Sequence, residues 1–316
     1  MKIRLQAGAG ILAASALVAL TGCGQSATVG TADAGQQSTI TVEHAQGSTA
    51  NVPVNPETVF TFDLGVLDTM DALGVEPDGV PQAAYPEALS KYSEDRFTKI
   101  GSMKEPDFEA ISEGAPDLII ISGRTAGAYE ELSKIAPTID LSLDEAKPME
   151  SFKEQAATLG KIFQKEAQVT EKVAAIDEKI TATKTKAAAA GTGLIVLASG
   201  GEVTAYGAGS RFGIIHDLLG VKPAAAVKGE GTHGEAVSFE FIKETNPDIL
   251  YVINRDSAMG TDAAASTAAL NNDLIASTNA GRKGKIVNLD PAGWYLVGYG
   301  LNNVPAMIDA VADSVA

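Results

Sequence analysis

An internal repeat at a fixed offset of 131 residues constrains this chain more than any other feature. Phe108-Glu109-Ala110-Ile111, then Pro116-Asp117-Leu118-Ile119-Ile120-Ile121-Ser122-Gly123-Arg124, aligns without a gap on Phe239-Glu240-Phe241-Ile242, then Pro247-Asp248-Ile249-Leu250-Tyr251-Val252-Ile253-Asn254-Arg255. Each copy reads as a short helix, a Pro-Asp turn, a strand buried on both faces and an Arg just past the strand's C-terminal end. A chain that writes this unit twice is expected to build two related α/β lobes.

The stretch between the copies is different in kind. From about Met149 to Ala190 it is rich in Ala, Lys, Glu and Gln, has no Pro and contains a single internal Gly, Gly160. At about 1.5 Å per residue, one helix of that length would reach roughly 50–60 Å and cross a whole domain. The expected layout is an N-terminal α/β lobe over 38–148, a connecting helix over 149–190 and a C-terminal α/β lobe over 191–316. Thr39 to Glu43 opens the first lobe as a strand, and alternation of strand and helix patterns favours parallel sheets.

The N-terminus addresses the compartment. Lys2 and Arg4 precede an apolar run, Ile11 to Leu20, that is too short to span a membrane as a mature helix and reads as a secretory signal over 1–22. It ends in Leu20-Thr21-Gly22-Cys23, which resembles the lipobox of bacterial lipoproteins, so Cys23 is the expected lipidated N-terminus. Gly24 to Gln37 is small and polar, and 23–37 is expected to act as a flexible tether. Cys23 is the only cysteine, so no internal disulfide is available and the core must supply the stability.

Removal of Lys2 and Arg4 with the signal takes the formal charge from −16 to −18. So acidic a protein is a poor electrostatic match for nucleic acid, which wants a basic patch. Enzyme chemistry finds no support either. There is no G-x-S-x-G elbow and no H-E-x-x-H pair, and a lipidated Cys23 leaves no cysteine nucleophile.

The remaining signals point to binding. Arg124 and Arg255 fall beyond the carboxyl ends of strands, where open parallel sheets hold their ligands. Tyr206-Gly207-Ala208-Gly209-Ser210-Arg211-Phe212-Gly213 is a Gly-rich turn in which the backbone can approach a ligand and Ser210 can cap a helix whose N-terminus attracts anions. Its spacing matches no nucleotide fingerprint. Of three histidines, His216 sits at helical spacing with Phe212, Ile215 and Leu219 and reads as a packing residue, whereas His233 lies in a polar loop and is the better ligand-binding candidate. Trp294 and Tyr295 come after a strand near the end of the chain, and spacing does not decide whether they line the cleft or cover the core.

Taken together, the lipobox, the tether, the duplicated lobes and the stretches from Tyr206 to Gly213, His233 to Glu240, Val252 to Asp256 and Trp294 to Leu296 resemble the ferric-siderophore-binding lipoproteins of ABC importers. The likeness is to their petrobactin- and catecholate-binding branch, and it covers essentially the whole mature chain. It implies the two-lobed, helix-spanned fold, with cargo between the lobes and small hinge motion. It also implies three cleft arginines at Arg124, Arg211 and Arg255. His233 and Tyr295 match positions that complete the iron's coordination when a siderophore supplies only four donors. Glu109 and Glu240 match lobe-surface carboxylates presented to the permease.

No cofactor is expected, because the iron arrives as cargo. The expected partners are a ferric siderophore, the permease and ATPase subunits, and the membrane through the lipid; nucleic acid is not among them, and the chain should be a monomer held on the extracytoplasmic face. Haem, cobalamin or a ferric hydroxamate is the alternative cargo for the same fold. Two departures bear on cargo rather than class: Asn254 stands where relatives usually have Asp, and Gly293 where many have a larger residue.

Overall fold

The computed structural model describes residues 38–227 and 233–316. The signal segment, Cys23 and the tether expected over 23–37 lie outside the described residues.

After a small antiparallel hairpin, β1 (Thr39–His44) with β2 (Gly47–Pro53), the first lobe is a parallel sheet of five strands. In chain order these are β3 (Val59–Thr61), β4 (Gly79–Gln82), β5 (Thr98–Ser102), β6 (Leu118–Ile121) and β7 (Thr138–Asp140), arranged in space as β5-β4-β3-β6-β7. Helix α1 (Leu64–Ala72) comes after β3, α2 (Phe108–Gly114) leads into β6, and the short α3 (Tyr129–Leu132) precedes β7. The apolar run of the first repeat is a fully buried strand, as its composition predicts: Leu118, Ile119, Ile120 and Ile121 have no accessible surface.

The two copies of the repeat fold alike. Helix α2 is capped by Asp107, whose carboxylate accepts the Ala110 N–H at 3.1 Å; α6 (Phe239–Thr245) is capped by Ser238, whose hydroxyl accepts the Phe241 N–H at 3.2 Å. Both helices end on a residue in the left-handed region, Ala115 at φ 43° and Asn246 at φ 47°, which turns the chain into the Pro-Asp step. The Asp then ties this turn to the start of the neighbouring central strand. Asp117 accepts the N–H groups of Glu57 and Thr58 at 2.9 and 2.8 Å, and Asp248 accepts that of Thr192 at 3.1 Å. A side chain at Gly191 would collide with Asp248, so that close approach requires glycine.

The second lobe has a mixed sheet, parallel at its centre as the alternation favours and antiparallel toward one edge. Its strands are β8 (Thr192–Ser199), β9 (Glu202–Tyr206), the two-residue β10 (Lys222–Pro223), β11 (Glu235–Val237), β12 (Ile249–Asn254) and β13 (Ile286–Asn288). The order is β11-β9-β8-β12-β13, with β10 also beside β8. The pairs β8–β12 and β12–β13 are parallel, but β9 runs back along β8 and β11 along β9. The reversal is made by Gly200 and Gly201, both at positive φ, as a two-residue hairpin requires.

The stretch over 149–190 is also not one helix. It forms α4 (Pro148–Ile162) and α5 (Glu166–Ala187), folded into an antiparallel hairpin with Lys153 on Asp177 at 2.5 Å and Gly160 closely facing Val169. The break needs neither proline nor glycine. Gln164 takes φ 54°, the Lys165 N–H bonds back to the Gly160 carbonyl at 2.7 Å, and Asn55 of the first lobe donates to the Ile162 carbonyl and the Gln164 side chain. Tertiary contacts thus end α4. The bridge proper is α5, whose 22 residues reach about 33 Å. It runs from the first lobe to the helix Asn303–Ser314 of the second, with Lys179 paired to Asp309.

A second tie joins the lobes behind the bridge. Asp68 on α1 is buried, and its carboxylate accepts the N–H groups of Asn302 and Asn303 at 2.8 and 3.0 Å, capping the C-terminal helix from the other lobe. Burial outweighs these two bonds and raises the Asp68 pKa to about 6 from its ordinary value of 3.8. A carboxyl that holds its proton more tightly when folded costs nothing at low pH and costs progressively more as pH rises through the interval from about 4 to 6. The Asp68→Asn variant keeps an oxygen for the cap and cannot ionise. Its stability relative to the parent should therefore improve by about 3 kcal/mol between pH 4 and pH 7, measured by denaturant unfolding at each pH.

Candidate functional site

A cleft of about 890 Å³ lies between the lobes, and the carboxyl ends of strands from both open onto it. Arg124 lies just beyond β6. Arg255 is the first residue of α7 (Arg255–Ala258) at the end of β12, where the Asn254 side chain caps the helix by accepting the Ser257 N–H at 3.1 Å. An asparagine performs that cap as well as an aspartate does. Arg211 comes from the glycine-rich turn after β9. That turn is not the anion-binding helix start that Ser210 suggests in the sequence, because Ser210 donates to the Gly207 carbonyl at 2.6 Å and Asp217 accepts the Gly209 N–H at 2.7 Å. The turn leads instead into a single π-helical turn, Ile214–Leu218, in which His216 is buried and bonded to the Val221 carbonyl at 2.8 Å, as a packing residue would be.

All three arginines converge on Tyr295. This residue sits in the short π-helical turn Gly293–Val297, whose last carbonyls have no partner within the turn and can take outside donors. The Tyr295 carbonyl accepts from Arg124 at 2.8 Å and from Arg211 at 3.0 Å, and Arg124 also reaches the Leu296 carbonyl at 3.2 Å. Arg255 donates its Nε–H to the Tyr295 hydroxyl at 2.9 Å and a second N–H to Ser199 at 3.1 Å. The guanidinium carbons stand 4.8, 5.7 and 5.9 Å from the centre of the Tyr295 ring for Arg211, Arg255 and Arg124. Among the described residues no carboxylate forms a salt bridge with any of the three. The cleft floor therefore carries three positive charges with no direct salt bridge among the described residues, although Asp63 acts on Arg124 and Asp256 on Arg255 at longer range.

The titration behaviour reflects that charge. Burial, and after it the neighbouring Arg124, lower the Arg211 pKa, though a guanidinium stays protonated at neutral pH. Burial alone would raise the Tyr295 phenol. The hydrogen bond from Arg255 and the charges of Arg255, Arg211 and Arg124 outweigh it and bring the phenol below its ordinary value. Tyr206 beside it, packed edge-on to Phe212 at 4.8 Å, is pushed the other way by burial.

His233 is exposed and lines the same cleft, so the structure brings together every cleft residue read from the sequence. Trp294 parts company with Tyr295. It is buried and lines a smaller chamber of about 380 Å³ behind the wall formed by Arg124, Arg211, Tyr295 and Leu296. Glu109 and Glu240 lie away from the cleft, exposed in the first turns of α2 and α6 at matching positions. Sequence reasoning missed Met103, Lys104 and Met259, which also line the cleft. Lys104 stands just past the end of β5, so the rule that singles out Arg124 would have found it.

The family model described as periplasmic binding protein matches residues 59–292, and the chain belongs to that family. Petrobactin-binding protein YclQ of Bacillus subtilis (strain 168) is 42% identical over 302 residues, covering 94% of this chain and 95% of the relative. Its crystal structure aligns with a TM-score of 0.85 at 44% identity, over 88% of this chain and 99% of that one. The periplasmic catecholate-siderophore binding protein VctP of Vibrio cholerae aligns with a TM-score of 0.81 at 34% identity, over 87% and 99%. Ferric-anguibactin-binding protein FatB of Vibrio anguillarum (strain ATCC 68554 / 775) is 31% identical over 94% of each chain. Like these relatives, the chain is a binding protein and not an enzyme.

The Tyr295 phenol can be followed by ultraviolet absorbance during an alkaline titration. One phenol should ionise below the ordinary value of about 10, and that early step should be missing from Tyr295→Phe.

Proposed function

We propose that this chain is the substrate-binding lipoprotein of an iron–siderophore ABC importer. It captures an anionic ferric siderophore of the catecholate or mixed catecholate–citrate kind in the interlobe cleft and delivers it to the permease. The observation that carries this reading is the trio of guanidiniums that make no direct salt bridge among the described residues, in a protein of mature charge −18. A ferric tris-catecholate bears about three negative charges, and one charge pair at 4 Å contributes roughly 4 kcal/mol at an effective dielectric of 20 before desolvation. Three local cations then outweigh a diffuse acidic surface screened over about 8 Å. Two relatives are named for petrobactin and for catecholate siderophores, which supports the same cargo class.

In this reading the arginines hold the ligand's oxygens, and His233 and Tyr295 complete the iron's coordination when the siderophore brings only four donors. The Arg255 bond favours this for Tyr295, since it lowers the phenol's pKa and a phenolate oxygen suits ferric iron. Glu109 and Glu240, one on each lobe, dock the loaded protein on the permease. Cys23 carries the lipid that holds a monomeric protein on the extracytoplasmic face of the cell membrane, and mass spectrometry of the mature N-terminus would reveal an unmodified Cys23 if that is wrong.

Truncating Arg124, Arg211 or Arg255 to Ala should each weaken binding of a ferric catecholate by about 1.5–3 kcal/mol, or roughly tenfold to 150-fold, in a titration of Trp294 fluorescence. Three variants that titrate like the parent would end the arginine model and favour a neutral cargo. The Glu109→Arg, Glu240→Arg double variant should bind cargo as the parent does and fail to support iron uptake in cells, because both docking contacts become repulsive.

A further inference from the structure

The cleft has a second chemical character that charge does not explain. Only two large hydrophobic side chains are markedly exposed among the described residues, Phe108 and Met259, each at 41%. Met259 lines the cleft, together with Met103, Ala83 and Ala84. Backbone bonds fix the position of both methionines in the chain, and Met103 also has a side-chain contact. Met259 ends α7 with its N–H on the Arg255 carbonyl at 3.0 Å, and the adjoining Gly260 comes close to Ala84 of the other lobe. Met103 is held by its carbonyl, which accepts from Thr125 at 2.7 Å, and by its sulfur, which lies 3.8 Å from a nitrogen of Arg124.

The cleft is thus cationic at Arg124, Arg211, Arg255 and Lys104, and carries two thioethers, one from each lobe: Met259, which is exposed, and Met103, half-buried against the core with its sulfur accepting from Arg124. A ligand that was anionic and hydrophilic throughout would leave the thioethers uncovered or strand its own polar groups against them. An anion with an aromatic face would satisfy both halves, since thioether sulfur makes favourable contacts with aromatic rings. We propose that Met103 and Met259 are specificity-determining residues that select ferric ligands carrying aryl rings over ferric ligands of equal charge that lack them. This rests on the ferric-siderophore reading and assigns its selection of catecholate rings to these two side chains.

The test compares two probes of the same charge and coordination geometry, ferric tris-catecholate and ferric tris-oxalate, on the full mature chain. Met259→Ala and Met103→Ala should each weaken the catecholate complex by about two- to tenfold, and by more when combined, while affinity for the oxalate complex stays within about twofold. Met259→Leu, which keeps the apolar surface, should recover most of the catecholate affinity. Unchanged thermal unfolding of the variants separates this effect from misfolding. A preference for catecholate over oxalate that is the same in the parent and the double variant overturns the proposal, as does an equal loss for both probes. A parent that binds neither ferric complex overturns the ferric-siderophore reading itself.

Discussion

Three guanidiniums gathered on one tyrosine are the arrangement on which the rest of this structure depends. Like charges that close together are unfavourable, and here the protein supplies neutral acceptors, the Tyr295 and Leu296 carbonyls, the Tyr295 hydroxyl and Ser199, in place of carboxylates. Those bonds fix the direction of each guanidinium and leave its charge intact. A carboxylate in their place would have stabilised the empty protein and competed with an anionic ligand. The short turn at Gly293–Val297 makes this possible, since Tyr295 and Leu296 fall among its last residues, whose carbonyls have no partner within a helix.

The arrangement also joins the lobes. Arg124 belongs to the first lobe and its acceptors to the second, so the floor of the cleft is itself an interlobe contact. Behind it the lobes share the Asp68 cap on the C-terminal helix and an apolar cluster in which Leu64, Leu67 and Val80 of the first lobe meet Leu296 and Val297 of the second. Together with α5, these contacts tie the lobes at the cleft floor and behind it.

Much of this is legible in the sequence because the repeat is a physical unit. Capped helix, left-handed residue, Pro-Asp and buried strand recur because each lobe solves the same problem, and so spacing alone places Arg124 and Arg255 at equivalent strand ends. The break at Gln164 is not legible. No glycine or proline marks it, and the contacts that end α4 come from Asn55, more than a hundred residues earlier. The antiparallel return of β9 is written in Gly200-Gly201, a hairpin signal that the alternation of strands and helices overshadows. Met103, like Lys104, falls just past β5, so the strand-end rule reaches it, but the sequence does not say whether a methionine there or at Met259 faces the cleft or the core.

The central claim is that the arginine-lined cleft between the lobes is where an anionic ferric ligand binds. Anomalous diffraction at the iron edge from crystals grown with a ferric tris-catecholate would locate the metal without reference to any mutant. The account predicts a single iron peak in the interlobe cleft, with ligand oxygens on Arg124, Arg211 and Arg255. An iron peak on the outer surface, or in the smaller chamber beside Trp294, would contradict it.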